Sequence, residues 1–224
     1  VTAEEKTADL TALIAALGAD ASGVAALASY DRGILCLGDD VASSYPFAIS
    51  FGLLLPRGVL ETLTDGPTLF YQHHYRQVNY RLDIIAYELA KAIERMGARA
   101  LPFAASQMVD WKNQKGHISH KHIAEAAGVG WIGRNNLLVH PLFGARLRLN
   151  TVLVDMDLVP ARPLAFGCGE CAACIGACPA SCIRPEPQAF DHKGCYAMLQ
   201  QFKNKRNLGH HICGLCVRAC GGEA

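Results

Sequence analysis

The stretch CGECAACIGACPASC, residues 168–182, decides how this chain is read. It packs five cysteines into fifteen residues, and four of them, Cys168, Cys171, Cys174 and Cys178, follow the spacing C-x2-C-x2-C-x3-C with Pro179 next. Further on, Cys195 stands alone and Cys213, Cys216 and Cys220 follow as C-x2-C-x3-C. Nine of the ten cysteines lie at or after Cys168, leaving only Cys36 in the preceding sequence. Such placement marks a metal-binding tail on a nearly cysteine-free body. With no secretion signal in view, metal thiolates are expected before disulfides, because cytosolic thiols are kept reduced.

The first four cysteines have the spacing of the bacterial ferredoxin run. Three thiols two residues apart can wrap one cubane, since the intervening backbone turns its amides toward the sulfides, while the fourth ligates the other cluster of a two-cluster protein. Cys178 is therefore expected to join Cys195, Cys213 and Cys216, and Cys220 to complete the set of Cys168, Cys171 and Cys174. That makes eight ligands for two [4Fe-4S] clusters. Zinc is the competing reading, because C-x2-C pairs also build tetrahedral thiolate sites, although zinc sites seldom use three evenly spaced cysteines with a proline after the fourth. Cys36 and Cys182 are read as buried thiols that pack as small hydrophobes, with Cys182 kept as an alternative ligand.

The rest of the chain reads as a folded body. Of 224 residues, 51% are hydrophobic and 18% charged, which excludes disorder. The net charge is +1, from 21 basic and 20 acidic residues, so no overall field attracts nucleic acid or anionic lipid. No apolar run is long enough for a membrane span, and the N-terminus shows no apolar leader. A cytoplasmic location is expected, with no nucleic-acid and no membrane partner.

Residues 3–17 predict a helix stopped by Gly18, and SGVAALAS and PFAISFGLLL predict buried strands. A long helix is expected from about Thr68 to Met96, because Val78, Leu82, Ile85, Leu89, Ile93 and Met96 recur at spacings of three and four. ARALPFAA predicts a strand, KHIAEAAGVGWIG a short helix breaking into a glycine-rich turn, and LRLNTVLVDMDLVP a strand ending at Pro160. The expected fold class is an α/β (α+β) body over residues 1–160 with a C-terminal ferredoxin-like two-[4Fe-4S] domain over residues 161–224.

One body segment carries a resemblance. AEAAGVGWIGRNNLLV, residues 124–139, followed by a strand and the cysteine runs, resembles the epoxyqueuosine reductases and their relatives the reductive dehalogenases. The corresponding stretch of that family reads like AGLGWIGKNTLL, so Ala127, Gly128, Gly130, Trp131, Ile132, Gly133 and Asn135 match, while Arg134 replaces a lysine. The resemblance implies an iron-sulfur reductase in which electrons pass from the clusters to a cobalamin held by the body and on to a small substrate. Gly128, Gly130, Trp131, Gly133, Arg134 and Asn135 are then the expected corrinoid contacts, glycines letting backbone approach the macrocycle and Trp131 covering its face. The plainer reading of the same residues is a helix C-cap and a core tryptophan. The sequence also leaves open flavin as the second cofactor, since flavin sites need no dinucleotide fingerprint.

The family places an acidic proton donor ahead of the glycine-tryptophan turn. Counting back by the usual spacing lands on Gln114, and Asp110, which follows a valine as the family's aspartate does, is the donor expected here. Tyr75, with Tyr80 near it, is the second candidate proton donor. His117, His120 and His122, absent from the family pattern, could donate protons or ligate a metal, or simply be solvated or paired with backbone carbonyls. Full-length epoxyqueuosine reductases continue into a helical-repeat region that helps hold transfer RNA. Without it a small-molecule substrate is expected, with a low-potential donor such as ferredoxin or flavodoxin. The alternative is an electron-transfer protein or corrinoid reductase that docks a corrinoid protein and has no substrate chemistry of its own.

Overall fold

The computed structural model describes residues 1–28, 41 and 43–222. Cys36 lies outside the described residues. Helix α1 (Ala3–Ala16) starts where Thr2 and Glu5 form a reciprocal capping box, the Glu5 amide donating to Thr2 Oγ1 at 3.2 Å and the Thr2 amide to the Glu5 carboxylate at 2.8 Å. It buries Leu10 and Ile14.

Strands β1 (Ala21–Ala26), β2 (Phe47–Leu54), β3 (Ala100–Pro102) and β6 (Leu147–Val154) form one sheet in the order β1-β2-β6-β3. β1 pairs antiparallel with β2, Ala21 facing Gly52, and β3 pairs antiparallel with β6, Ala100 facing Val154. The two inner strands are buried almost continuously, as strands covered on both faces are. The mixed α/β reading therefore holds, with antiparallel pairing at both edges of the sheet.

Two strands are shorter than the sequence suggests. β3 ends at Pro102, which has no amide to give a ladder. β6 stops at Val154 because the next side chain, Asp155, turns its carboxylate to Arg99, accepting from its amide and its Nε at 2.5 Å each.

Helix α2 (Arg57–Glu61) is followed by the long α3 (Leu69–Arg95). The spacing of three and four is realised in α3: Leu82, Ile85, Leu89 and Ile93 are wholly buried while Tyr80, Ile84 and Tyr87 are exposed. Met96 falls past the helix end and is exposed. Helix α4 (His120–Ala126) leads through Gly128 to the two-stranded ribbon of β4 (Trp131–Ile132) and β5 (Leu138–Val139). Helices α5 (Ala173–Gly176), α6 (His192–Lys205) and α7 (Leu215–Ala219) complete the described elements in the cysteine-rich part.

The chain forms two compact units. The first comprises Val1–Leu53, Asn79–Gly130 and Arg148–Leu164 and holds the sheet. The second comprises Leu54–Val78, Trp131–Leu147 and Ala165–Ala224, so the cysteine-rich segment folds together with two pieces of the preceding sequence. Its core joins Val59, Leu60 and Leu63 to Phe202, Leu208, Ile212, Leu215 and Val217. Among the described residues no helix is long and apolar enough to cross a membrane.

Candidate metal centre

Every described cysteine is a free thiol. Within the second unit the structure gathers Cys168, Cys171, Cys174 and Cys220 around one cleft, with about 340 Å³ of empty space partly open to solvent, which Arg134, Asn135 and Val139 also line. Cys220 reaches it because Gly144, at φ +61°, leaves the backbone room: a Cβ there would lie 2.2 Å from the Cys220 carbonyl oxygen. Burial raises the pKa of Cys174, and the neighbouring thiolates of Cys220, Cys168 and Cys171 raise it further.

A second set surrounds Cys195. Burial pushes this thiol up to about 11, and Cys182, Cys178 and Cys213 add to the effect. Cys216 is raised chiefly by burial, then by Cys213 and Cys195, with smaller contributions from Cys174 and Cys178. Cys178, four residues from Cys174 in sequence, is among the neighbours that raise Cys195, Cys213 and Cys216, and Cys174 also acts on Cys216. Cys182 lies beside this set as a fifth sulfur. Its thiol donates to the Ala180 carbonyl at 3.4 Å and its backbone amide donates to Cys178 Sγ at 3.4 Å.

The donor chemistry fits iron-sulfur clusters. Thiolates this close repel one another, and a bound cationic core offsets that repulsion while keeping the thiols deprotonated. Among the described residues no three His, Cys, Asp or Glu side chains gather as a single metal ion requires. The thiols of the first set border a cleft instead.

The glycine-tryptophan stretch serves this first set. Trp131 is 3% exposed, and its indole Nε1 donates to Cys168 Sγ at 3.3 Å. Its ring packs so closely on Gly167 that a Cβ there would lie 2.7 Å from it. Gly133 leaves the space beside the thiol, a Cβ there falling 2.6 Å from Val139 Cγ2 and 3.4 Å from Cys168 Sγ. Arg134 spends its whole guanidinium on the cysteine loop: Nε donates to Pro185 O at 2.7 Å, Nη1 to Cys171 O at 2.9 Å and Cys168 O at 3.3 Å, and Nη2 to Gly169 O at 2.7 Å. Asn135 is buried at the cleft.

Trp131 and Arg134 therefore hold the loop that carries Cys168, and Asn135 borders the thiol cleft. Gly128 and Gly130 belong to the first unit, where Gly128 turns the chain at φ +67° against the Arg162 carbonyl. Sequence reasoning found this segment but not its orientation toward Cys168. A positively charged residue and an indole ahead of the cysteine runs were the available signal.

Of the expected proton donors, Asp110 belongs to the first unit and Tyr75 to the second, where it packs against the same core as Cys213 and Cys216. Asp110 caps a turn, its carboxylate accepting from the Asn113 amide at 3.0 Å and from Asn113 Nδ2 at 2.7 Å, and these hydrogen bonds lower its pKa. Tyr75 packs against the core of the second unit, its ring 6.2 Å from those of Tyr71 and His210, while Tyr80 is exposed on α3. Gln114 holds φ +57° in the same turn as Asp110.

The three histidines do not converge on a common point. His117 Nδ1 is buried without a partner, His122 Nδ1 meets Ser119 Oγ at 2.7 Å, and His120 lies between Thr151 Oγ1 at 2.8 Å and the Ala104 carbonyl at 3.1 Å. Burial lowers the His120 pKa to about 4. Between about pH 6.5 and 4 the unfolded chain therefore holds a proton that folded His120 lacks. The contribution of neutral His120 is full above that window and is lost as the pH falls through it. Urea unfolding is expected to show a midpoint that drops from pH 7 to pH 4.5, and His120→Gln should flatten that drop. An unchanged slope in the variant would remove His120 from the account.

No family model matches the chain. An epoxyqueuosine reductase of Bacillus anthracis is 31% identical over 113 residues, covering 47% of this chain and 30% of that protein. A tetrachloroethene reductive dehalogenase of Desulfitobacterium hafniense is 33% identical over 136 residues, covering 58% of this chain and 23% of that protein. The chain is similar to members of both enzyme groups over about half of its length. Solved structures agree at the level of the fold. A catabolic reductive dehalogenase in complex with 3-bromo-4-hydroxybenzoic acid superposes with a TM-score of 0.78 at 18% identity, over 98% of this chain and 32% of that one. The epoxyqueuosine reductase from Streptococcus thermophilus gives 0.68 at 18% identity, over 95% and 65%. The matched stretch spans under a third of these curated reductases.

Proposed function

We propose that this chain is an iron-sulfur reductase of the epoxyqueuosine reductase and reductive dehalogenase kind. Cys168, Cys171, Cys174 and Cys220 would hold one [4Fe-4S] cluster, and Cys178, Cys195, Cys213 and Cys216 the second, in a ferredoxin-like arrangement. Such clusters supply one-electron transfer at low potential. The observation that carries this reading is the cleft bordered by three cysteines of the first run and by Cys220, 46 residues beyond Cys174. Trp131 and Arg134 support it by orienting Cys168 and the loop that bears it.

A low-potential donor such as ferredoxin or flavodoxin would deliver the electrons, and a small substrate would receive them. Cobalamin is proposed as the group between them on the names of the relatives alone, one of which describes B12-dependent dehalogenation. It would supply a strongly reducing cobalt centre. The reading without substrate chemistry is less favoured, because the relatives named above are all reductases.

Anaerobically purified protein is expected to carry about eight iron atoms and about as many acid-labile sulfides per chain. Titration with cob(II)alamin should convert its EPR spectrum to the base-off form. Zinc without labile sulfide would overturn the cluster assignment. Full iron loading with a cob(II)alamin spectrum identical to the free cofactor would leave the clusters standing and remove the corrinoid.

A further inference from the structure

Asn135 holds one polar group that the fold leaves without a partner. The residue is 3% exposed, and its Nδ2 makes no hydrogen bond although the atom is buried. An amide donor in that state costs about 1–3 kcal/mol, so folded proteins rarely leave one without an acceptor.

The orientation of the side chain is fixed by the turn that carries it. Asn135 Oδ1 accepts from the Leu137 amide at 3.2 Å, and the same turn is closed by the Gly133 amide donating to Leu137 O and the Asn136 amide to Gly133 O, each at 2.9 Å. An amide nitrogen in the position of Oδ1 would set donor against donor, so the oxygen must face Leu137 and the NH2 must face away. Asn135 borders the cleft ringed by Cys168, Cys171, Cys174 and Cys220. The side chains around that cleft that can accept a hydrogen bond are the cysteine sulfurs. Cys168 already takes one such bond from Trp131, on the same short ribbon.

Resting on the iron-sulfur reading above, we propose that Asn135 donates its side-chain N–H to a sulfur of the first centre, thiolate or inorganic sulfide, and thereby sets that centre's reduction potential. One electron from a low-potential donor makes the centre one unit more negative. A donor aimed at sulfur stabilises that added charge and raises the potential. The turn engages the carbonyl of Asn135 with the Leu137 amide and leaves the buried amino group free for an acceptor at the cleft that the residue borders. Aspartate could close the same turn through its oxygen, but it would bring no N–H to the cleft.

The test uses anaerobically purified protein and Asn135→Leu, each loaded and titrated with EPR detection. The first centre is expected to shift to more negative potential in the variant, while the second centre and the iron content stay unchanged. A first centre whose midpoint does not move, in a variant with full iron, overturns the proposal. Where Asn135→Leu loses iron, wild-type protein labelled with 15N-asparagine decides it: a 15N hyperfine coupling to the reduced first centre is expected, and its absence overturns the proposal. Wild-type protein without acid-labile sulfide would sink the iron-sulfur reading itself, and this proposal with it.

Discussion

Replacing Cys178 by serine is expected to disrupt the centre of Cys195, Cys213 and Cys216 and to leave that of Cys168, Cys171, Cys174 and Cys220 intact. Proximity in sequence argues the other way, since Cys178 follows Cys174 by four residues. Cys182, Cys178 and Cys213 raise Cys195, and Cys213, Cys195, Cys174 and Cys178 raise Cys216, while Cys174 is raised by Cys220, Cys168 and Cys171. Loss of one thiolate leaves a cubane with an open iron, which oxygen or chelators then strip. Iron should fall from about eight to about four per chain, and the reduced protein should keep one of its two EPR signals.

Cys220→Ser is the complementary change and should spare the other signal. Cys182→Ser should spare both, because the Cys182 sulfur is engaged with the Ala180 carbonyl and its amide, which supports Cys178, survives the substitution. A Cys178→Ser protein that loses the first centre and keeps the second would end the interlaced assignment.

Arg134→Ala should be the most destabilising change among the residues around the first centre. One guanidinium ties together Cys168, Gly169, Cys171 and Pro185 through four backbone carbonyls, and its charge also stacks over Phe166 at 5.4 Å. Hydrogen bonds to a charged group contribute about 1.5–3 kcal/mol each when buried. Partial solvation and shared geometry reduce the sum here, so a loss of roughly 2–4 kcal/mol in anaerobic urea unfolding is expected. Arg134→Lys should recover only part of it, since an ammonium cannot span the same fork of carbonyls. The loop would also hold Cys168 and Cys171 less firmly, so the first centre should release iron faster than the second. A change below about 0.5 kcal/mol, the range of an ordinary surface substitution, would show that the clamp contributes nothing.

Much of the framework is legible in the sequence because it rests on local rules. The period of α3 places Leu82, Ile85, Leu89 and Ile93 on one buried face, and the fold realises it. Strand lengths were less legible, since β3 stops at a proline and β6 at a carboxylate committed to Arg99. Asp110 looked like an acid by its neighbours in sequence. Its side chain instead caps the turn at Asn113, a contact that residue type alone does not announce.

By itself the sequence determined that this protein carries nine closely spaced cysteines after a mixed helical and stranded body, because cysteine spacing and hydrophobic period are properties of neighbours along the chain. Only the tertiary structure decided what the segment from Trp131 to Asn135 faces. Its partners, Cys168, Cys171 and Pro185, are 34 to 51 residues away. Contacts over such separations exist only once the ribbon of β4 and β5 and the cysteine loop have packed into one unit. An indole, a guanidinium and an amide have the same chemistry in any setting, and their roles here come from the sulfur and carbonyl groups that packing brings to them.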